Sequence, residues 1–156
     1  MMNTSPIKRI EKFATDRGID KMKHDAFNYS TNVIEELLEL IGYDVPKTQR
    51  SALRSKFENF VTDVCDSGIA INENDAEQQP HDTIDAIADV IVFSITELQK
   101  LNVDPSLVLI EVSKEISSRN GRLISGKFEK YLPGENGYVA PYVADYSVAK
   151  SWVLDM

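Results

Sequence analysis

Apolar residues recur along this chain with a helical period, and five stretches carry it. Ser5-Pro6 opens the first, with proline at the first helical position. Ile7, Ile10 and Phe13 or Ala14 follow at helical spacing, and Arg17-Gly18 ends it. Asp20 is the cap expected for the second helix, which should run to about Ile41 before Gly42 stops it. Its apolar face is Val33, Ile34, Leu37, Leu38 and Ile41. Tyr43 to Thr48, with Pro46, is a connection. Thr48 then caps a third helix, Gln49 to about Val64, whose buried stripe is Ala52, Leu53, Phe57, Phe60 and Val61. Ser67 to Pro80 is polar and reads as an exposed loop. The fourth helix is expected from about Asp82 to Leu101. The fifth starts at Asp104-Pro105 and ends near Asn120-Gly121.

The remainder, Arg122 to Met156, differs in kind. It holds Gly126, Pro133, Gly134, Gly137, Pro141 and many aromatics. Leu123 to Phe128 suits a short hairpin, and Val148 to Leu154 a short terminal helix. The rest reads as an ordered tail wrapping the helices. No internal repeat or low-complexity segment interrupts the pattern. The expected fold is therefore all-α: one domain over residues 1–156, with a core of about 5–121 and an irregular aromatic tail, 122–156.

Composition narrows the function classes. A chain of 156 residues can bury a core as one domain. Asp89, Glu97 and Lys100 interrupt the longest apolar run, which excludes a helical membrane span there. Met1 to Arg9 lacks a signal-peptide core, so a cytoplasmic protein is expected, in the host cytoplasm if the chain is phage-encoded. Cys65 is the one cysteine. It can form no intrachain disulfide and reads as a small buried hydrophobe. The formal net charge of -8 argues against a general nucleic-acid binder. It does not argue against a nucleotide substrate, since metal ions can sit between acidic side chains and phosphates.

Two stretches carry candidate chemistry. Glu35-Glu36-Leu37-Leu38-Glu39 puts three acids in five residues of a helix, with Glu36 and Glu39 on neighbouring turns of one side. On the helical wheel these acids lie roughly opposite the apolar stripe, which on its own favours a solvated face. The second stretch is Asp82-Thr83-Ile84-Asp85-Ala86-Ile87-Ala88-Asp89, with acids spaced three and then four apart. From Ala86 to Ile95 the helix is apolar on nearly every side, and Asp89 is its only charge. A buried unpaired carboxylate is costly, so Asp89 needs a cation, a basic partner or a proton. Asp82 follows Pro80-His81, where an N-cap belongs, and Asp85 is three residues on, as in a capping box. For Asp85, capping and ligation are both open. Helices that brought these acids together would suit a hard divalent cation, Mg²⁺ or Mn²⁺. His24 and His81 are isolated and offer no Glu-x-x-His pattern. Lys114, Arg119, Arg122, Lys127 and Lys130 are either surface cations or, as a group, able to neutralise phosphate oxygens.

The glutamate stretch, followed by Asp85-Ala86-Ile87-Ala88-Asp89-Val90, resembles the all-alpha NTP pyrophosphohydrolases of the MazG-like type. That superfamily includes phosphoribosyl-ATP pyrophosphohydrolase and the dimeric dUTPases. Glu111-Val112 through Ser118-Arg119, then Gly121 and Lys127, resembles the helix and basic segment of phage-type members. The resemblance spans roughly Asp25 to Lys130. It implies a four-helix-bundle core with an extra helix, assembled as a homodimer or homotetramer, with Mg²⁺ on the carboxylates. Glu36, Glu39 and Asp89 match the family's metal ligands, and Glu35 its leading glutamate. Two departures stand out. Ala86 lies where the family often has an acid, so Asp85 would have to supply the fourth ligand. A whole extra helix also separates the two halves.

The resemblance implies a Mg²⁺-dependent enzyme converting a nucleoside triphosphate to the monophosphate and pyrophosphate. Glu35 or Glu36 would take a proton from water. Glu36, Glu39, Asp85 and Asp89 would hold metal. Lys114, Arg119, Lys127 and Lys130 would face the phosphates, and Asn28, with Phe13 and Phe27, the base. A deoxynucleotide, dGTP as one guess, is the expected substrate. The alternative is a non-enzymatic acidic helical bundle that binds a protein partner. Neither reading expects nucleic acid or a membrane as partner.

Overall fold

The computed structural model describes residues 5–71, 79–124 and 127–151. These are mostly helical, with five α-helices and one small two-stranded sheet. No helix among them is long and apolar enough to cross a membrane. They fall into two compact units. One takes the described part of Met1–Met22 and Gln79–Met156, the other that of Lys23–Gln78.

The first unit opens with α1, Pro6–Asp16, which has proline at its start as the sequence predicts. It packs along α5, Pro105–Ser118. The Asp104 carboxylate caps α5 by accepting from the Ser106 N–H at 2.7 Å. After α5 come β1, Gly121–Ile124, and β2, Lys127–Lys130, paired antiparallel with Leu123 opposite Phe128. The hairpin expected across Leu123 to Phe128 is present and longer than that. Phe128 meets the Phe13 ring edge-on at 5.2 Å, and the Arg17 guanidinium lies 4.2 Å from the Phe13 centroid. Arg17 also donates to the Arg119 carbonyl at 2.6 Å, tying α1 to the end of α5.

The tail then returns along α5. A 3₁₀ turn, Tyr146–Ser151, stands where the terminal helix was expected, and residues 152–156 lie outside the described ones. Ala149 in this turn is the one fully buried hydrophobic residue among those described. Its carbonyl accepts from the Asp104 N–H at 3.2 Å.

The fourth helix, α4, runs over Gln79–Lys100 and departs from expectation twice. It begins before Asp82, because Pro80 fits a first turn that needs no N–H from it. Asp82 is therefore inside the helix, 3.6 Å from His81, and no capping box forms with Asp85. Nor is α4 buried all round. Within its unit it meets α5 at few points, half-covering a stripe through Ile87, Val90 and Leu98. Ile84 and Phe93 are 69% and 66% exposed. Asp89 lies on the exposed side, so the expected burial of its carboxylate does not hold in the single chain. Asn102, at φ 56, closes this helix in the left-handed conformation that asparagine tolerates.

The second unit is a helix pair. Asp25, not Asp20, caps α2, Ala26–Leu40, accepting from the Asn28 N–H at 2.9 Å. Asp20 instead sits in a 3₁₀ turn, Ile19–Lys21, of the first unit, and its carboxylate takes the Thr15 hydroxyl. Gly42, at φ 94, ends α2 as predicted. Thr48 is likewise not a cap. It lies in a second 3₁₀ turn, Lys47–Gln49, that leads into α3, Arg50–Asp66. Phe27 packs on Phe57 at 5.8 Å between the two helices. Cys65 is exposed, on a side of α3 that α2 does not cover. Of the expected loop Ser67 to Pro80, residues 72–78 lie outside the described ones.

Candidate functional site

Acidic residues fall into two kinds in this protein. Those on α5 are neutralised at short range. Glu111 is buried, yet three groups serve its carboxylate. The Lys114 ammonium lies at 2.5 Å and the Tyr142 hydroxyl donates at 2.5 Å. The Asp145 N–H donates at 3.1 Å. The Lys114 bond, then Tyr142 and the Asp145 N–H, outweigh burial and push Glu111 down to about 2. The same contacts raise Lys114 and Tyr142 above their ordinary values. One turn on, Glu115 takes Arg119 at 2.5 Å and the Ala144 N–H at 3.1 Å, and is likewise lowered, Arg119 being the main cause. Ser118 accepts from the Tyr142 N–H at 2.8 Å. This face of α5 is thus a docking strip for the tail. On its other side buried Ser113 accepts from Arg9 at 2.9 Å, joining α1.

Four acids of α2 and α4 are the second kind. Glu36 and Glu39 are exposed one turn apart on α2, and Asp85 and Asp89 on α4. None of these four side chains has a hydrogen bond or ion pair among the described residues. Neither unit, among those residues, gathers three metal-ligating side chains into a ready cage. Each helix supplies a pair.

Glu35 behaves differently from its neighbours. Its side chain is 13% exposed and lies 3.7 Å from Arg50 Nε, at the start of α3. Arg50 also donates to Asn28 at 3.0 Å and to Asn32. Asn28, Asn32 and Glu35 recur at four and three residues, so they form one polar stripe of α2 turned toward α3. Glu35 therefore does not share the solvated side expected from the wheel. Asn28, expected beside a base, is engaged by Arg50.

The other expected substrate contacts are dispersed. Phe13 is occupied by Phe128 and Arg17 in the first unit, while Phe27 belongs to the second. Lys114 is held by Glu111, and Lys127 sits on β2 opposite Ile124. Arg119 and Lys130 do come together: both line a cavity between the end of α5, the hairpin and the tail.

Sequence reasoning missed Glu111, Glu115, Arg50 and Tyr142. Glu111 and Lys114 at i,i+3, and Glu115 and Arg119 at i,i+4, were readable as helical ion pairs. Nothing in the sequence marked Tyr142 as their partner. Set against protein-family models, curated proteins and solved structures, the chain matches none.

Proposed function

We propose that this protein is a Mg²⁺-dependent nucleoside triphosphate pyrophosphohydrolase of the all-alpha kind, built on a four-helix-bundle core and working as a homodimer or homotetramer. One observation carries the reading: α2 and α4 each present two exposed carboxylates without a cation among the described residues, while the α5 acids are neutralised within the chain. Oxygen donors left uncompensated suit a hard divalent ion, and Glu36, Glu39, Asp85 and Asp89 would hold it. When bound, Mg²⁺ or Mn²⁺ screens the phosphate oxygens and makes water more acidic.

The chain's own groups do the rest. Glu36 takes the proton of the attacking water, since Glu35 is engaged by Arg50. The water oxygen bonds to the α-phosphorus, and the α–β bridging oxygen leaves with pyrophosphate. Arg119 and Lys130 are the cations best placed, as neighbours, to meet phosphate charge. The exposed Ile84 and Phe93 of α4 favour assembly of copies, because apolar groups of that size are rarely left in water. The same surface would equally serve the alternative, a non-enzymatic module for a protein partner.

Pyrophosphate release, measured across ribo- and deoxyribonucleoside triphosphates with Mg²⁺, separates the two. The enzyme reading expects turnover that Glu36→Gln and Glu39→Gln each abolish while melting curves stay near wild type. No release from any triphosphate, or unchanged turnover in both variants, refutes it.

A further inference from the structure

One polar residue of α2 stands between the Arg50 cluster and the exposed acids. Asn28, Asn32, Glu36 and Glu39 recur at four, four and three residues, so they line one stripe of the helix. Asn28 and Asn32 form its partly buried end, Glu36 and Glu39 its exposed end. Asn32 lies one turn from Glu36, with about 5–6 Å between the two Cβ atoms.

Arg50 decides which way the Asn32 amide faces. A guanidinium carries donors and no acceptor, so the group that meets it must be the amide oxygen. Arg50 Nη2 donates to that oxygen and, at 3.0 Å, to the oxygen of Asn28. The guanidinium is itself anchored, because Arg50 is mostly buried and its Nε lies 3.7 Å from Glu35. The Asn32 NH₂ group is therefore turned away from Arg50. Among the described residues it meets no acceptor. Two donors are thus fixed in direction before any ligand arrives, and fixed donors lose little freedom on binding.

The residue type matters as much as the direction. Phosphate oxygens next to Glu36 need donors. A lysine at position 32 could supply them, but at i,i+4 it would also pair with Glu36 and compete with a metal ion for that carboxylate. An amide donates without charge and leaves Glu36 to the ion.

We infer that Asn32 is a substrate-binding residue, its NH₂ group donating to a phosphate oxygen of the triphosphate beside Glu36, with Arg50 as the positioning residue. The inference rests on the pyrophosphohydrolase reading and adds to it a phosphate contact that is neither a metal ligand nor a cation.

The test binds an α,β-imido deoxynucleoside triphosphate, which has no cleavable α–β bridging oxygen, to the full chain with Mg²⁺. It follows the Asn32 side-chain amide by NMR. Tripolyphosphate and the deoxynucleoside are run beside it, with Mg²⁺ alone as the reference. The analogue and tripolyphosphate should both shift the Asn32 NH₂ resonances, and the nucleoside should not. Asn32→Ala and Asn32→Asp share one loss, the donor. They differ in the rest, since Asn32→Asp keeps an acceptor for Arg50 and adds charge, and Asn32→Ala does neither. Both should weaken the analogue about tenfold, while Mg²⁺ alone still raises the Tm of each. A melting curve for Asn32→Asp near wild type shows that the fold is kept. Arg50→Lys should recover part of the analogue affinity that Arg50→Ala loses. Wild-type affinity in either Asn32 variant, or an Asn32 amide that follows the nucleoside and not tripolyphosphate, overturns the inference and leaves the enzyme reading in place. No binding of the analogue by wild type overturns it too and, where no triphosphate releases pyrophosphate, overturns the enzyme reading with it.

Discussion

Gly121 is where a single methyl group should do most harm. It opens β1 opposite Lys130, and the strands there lie so close that a Cβ would sit 2.9 Å from the Lys130 Cα and 2.8 Å from the Glu129 carbonyl carbon. The Glu129 carbonyl oxygen would be closer still. These are backbone atoms, so no side chain can swing aside. Gly121→Ala must either spread the strands or undo the hairpin. Spreading costs about 1–3 kcal/mol, as for other overpacked sites. Undoing it frees Phe128 from the Phe13 ring, which costs a similar amount, about 2 kcal/mol for a half-buried aromatic. Either route lowers Tm by about 3–10 °C in a chain of this length. Gly134→Ala is the comparison. A Cβ there meets nothing within 4 Å, so only the φ of +91 is strained, at about 1 kcal/mol. Thermal melts followed by circular dichroism, with Phe13 and Phe128 ring shifts by NMR, separate the two. Only Gly121→Ala should move those rings. A Gly121→Ala melt within about 1 °C of wild type would refute the strand register and its packing on α1.

The tail should come off α5 in acid. Glu111 is held down to about 2 against an ordinary 4.5, so its stabilisation is complete above that ordinary value and is lost as pH falls from about 4.5 toward 2. Limited proteolysis of the tail and Tyr142 fluorescence should report release in that window, and Glu111→Gln should show the released state already at pH 7. Arg50→Ala should cost about 2 kcal/mol, because it removes the guanidinium that Asn28, Asn32 and Glu35 share. Arg50→Lys should recover only part in urea melts, since one ammonium cannot reproduce the guanidinium fork. Mg²⁺ should raise the Tm of wild type, and Asp89→Asn should lose most of that gain. Equal gains in both proteins would remove Asp89 from the ligand set.

Helix existence was legible, and helix starts were not. Pro6, Pro105 and Asp104 marked two starts, because proline and a capping carboxylate act locally and leave a local signature. Asp20 and Thr48 misled because each lies in a 3₁₀ turn, where the same residue types are equally at home. Asp82 misled for the opposite reason. The proline before it looked like the end of a loop and was already in the first turn of α4. Among candidate site residues, the wheel placed Glu36 and Glu39 on the exposed side, where they lie, but put Glu35 with them. Glu35 turns toward α3 because of Arg50, fifteen positions away, and no single-helix pattern contains that information. The tail was readable only as ordered. Its contacts, Tyr142 to Glu111 and Ala144 to Glu115, span about thirty residues and follow no period.

The contrast between α5 and the other acidic helices gives those contacts a meaning. A helix interior cannot offer its own N–H groups to a side-chain carboxylate, so a carboxylate in the middle of α5 must find donors elsewhere. The tail supplies them, as two backbone N–H groups and one phenol, and in return its irregular backbone gains acceptors that no regular ladder would provide. Local lysine and arginine neighbours complete the neutralisation. The α2 and α4 pairs have no such neighbours: no lysine or arginine lies a turn away from Glu36, Glu39, Asp85 or Asp89. A chain that neutralises its α5 acids locally, and places no lysine or arginine a turn from these four, leaves them solvated and open to a partner from outside. The proposed partner is a divalent ion, and the Asp89→Asn comparison with and without Mg²⁺ is the measurement that decides it.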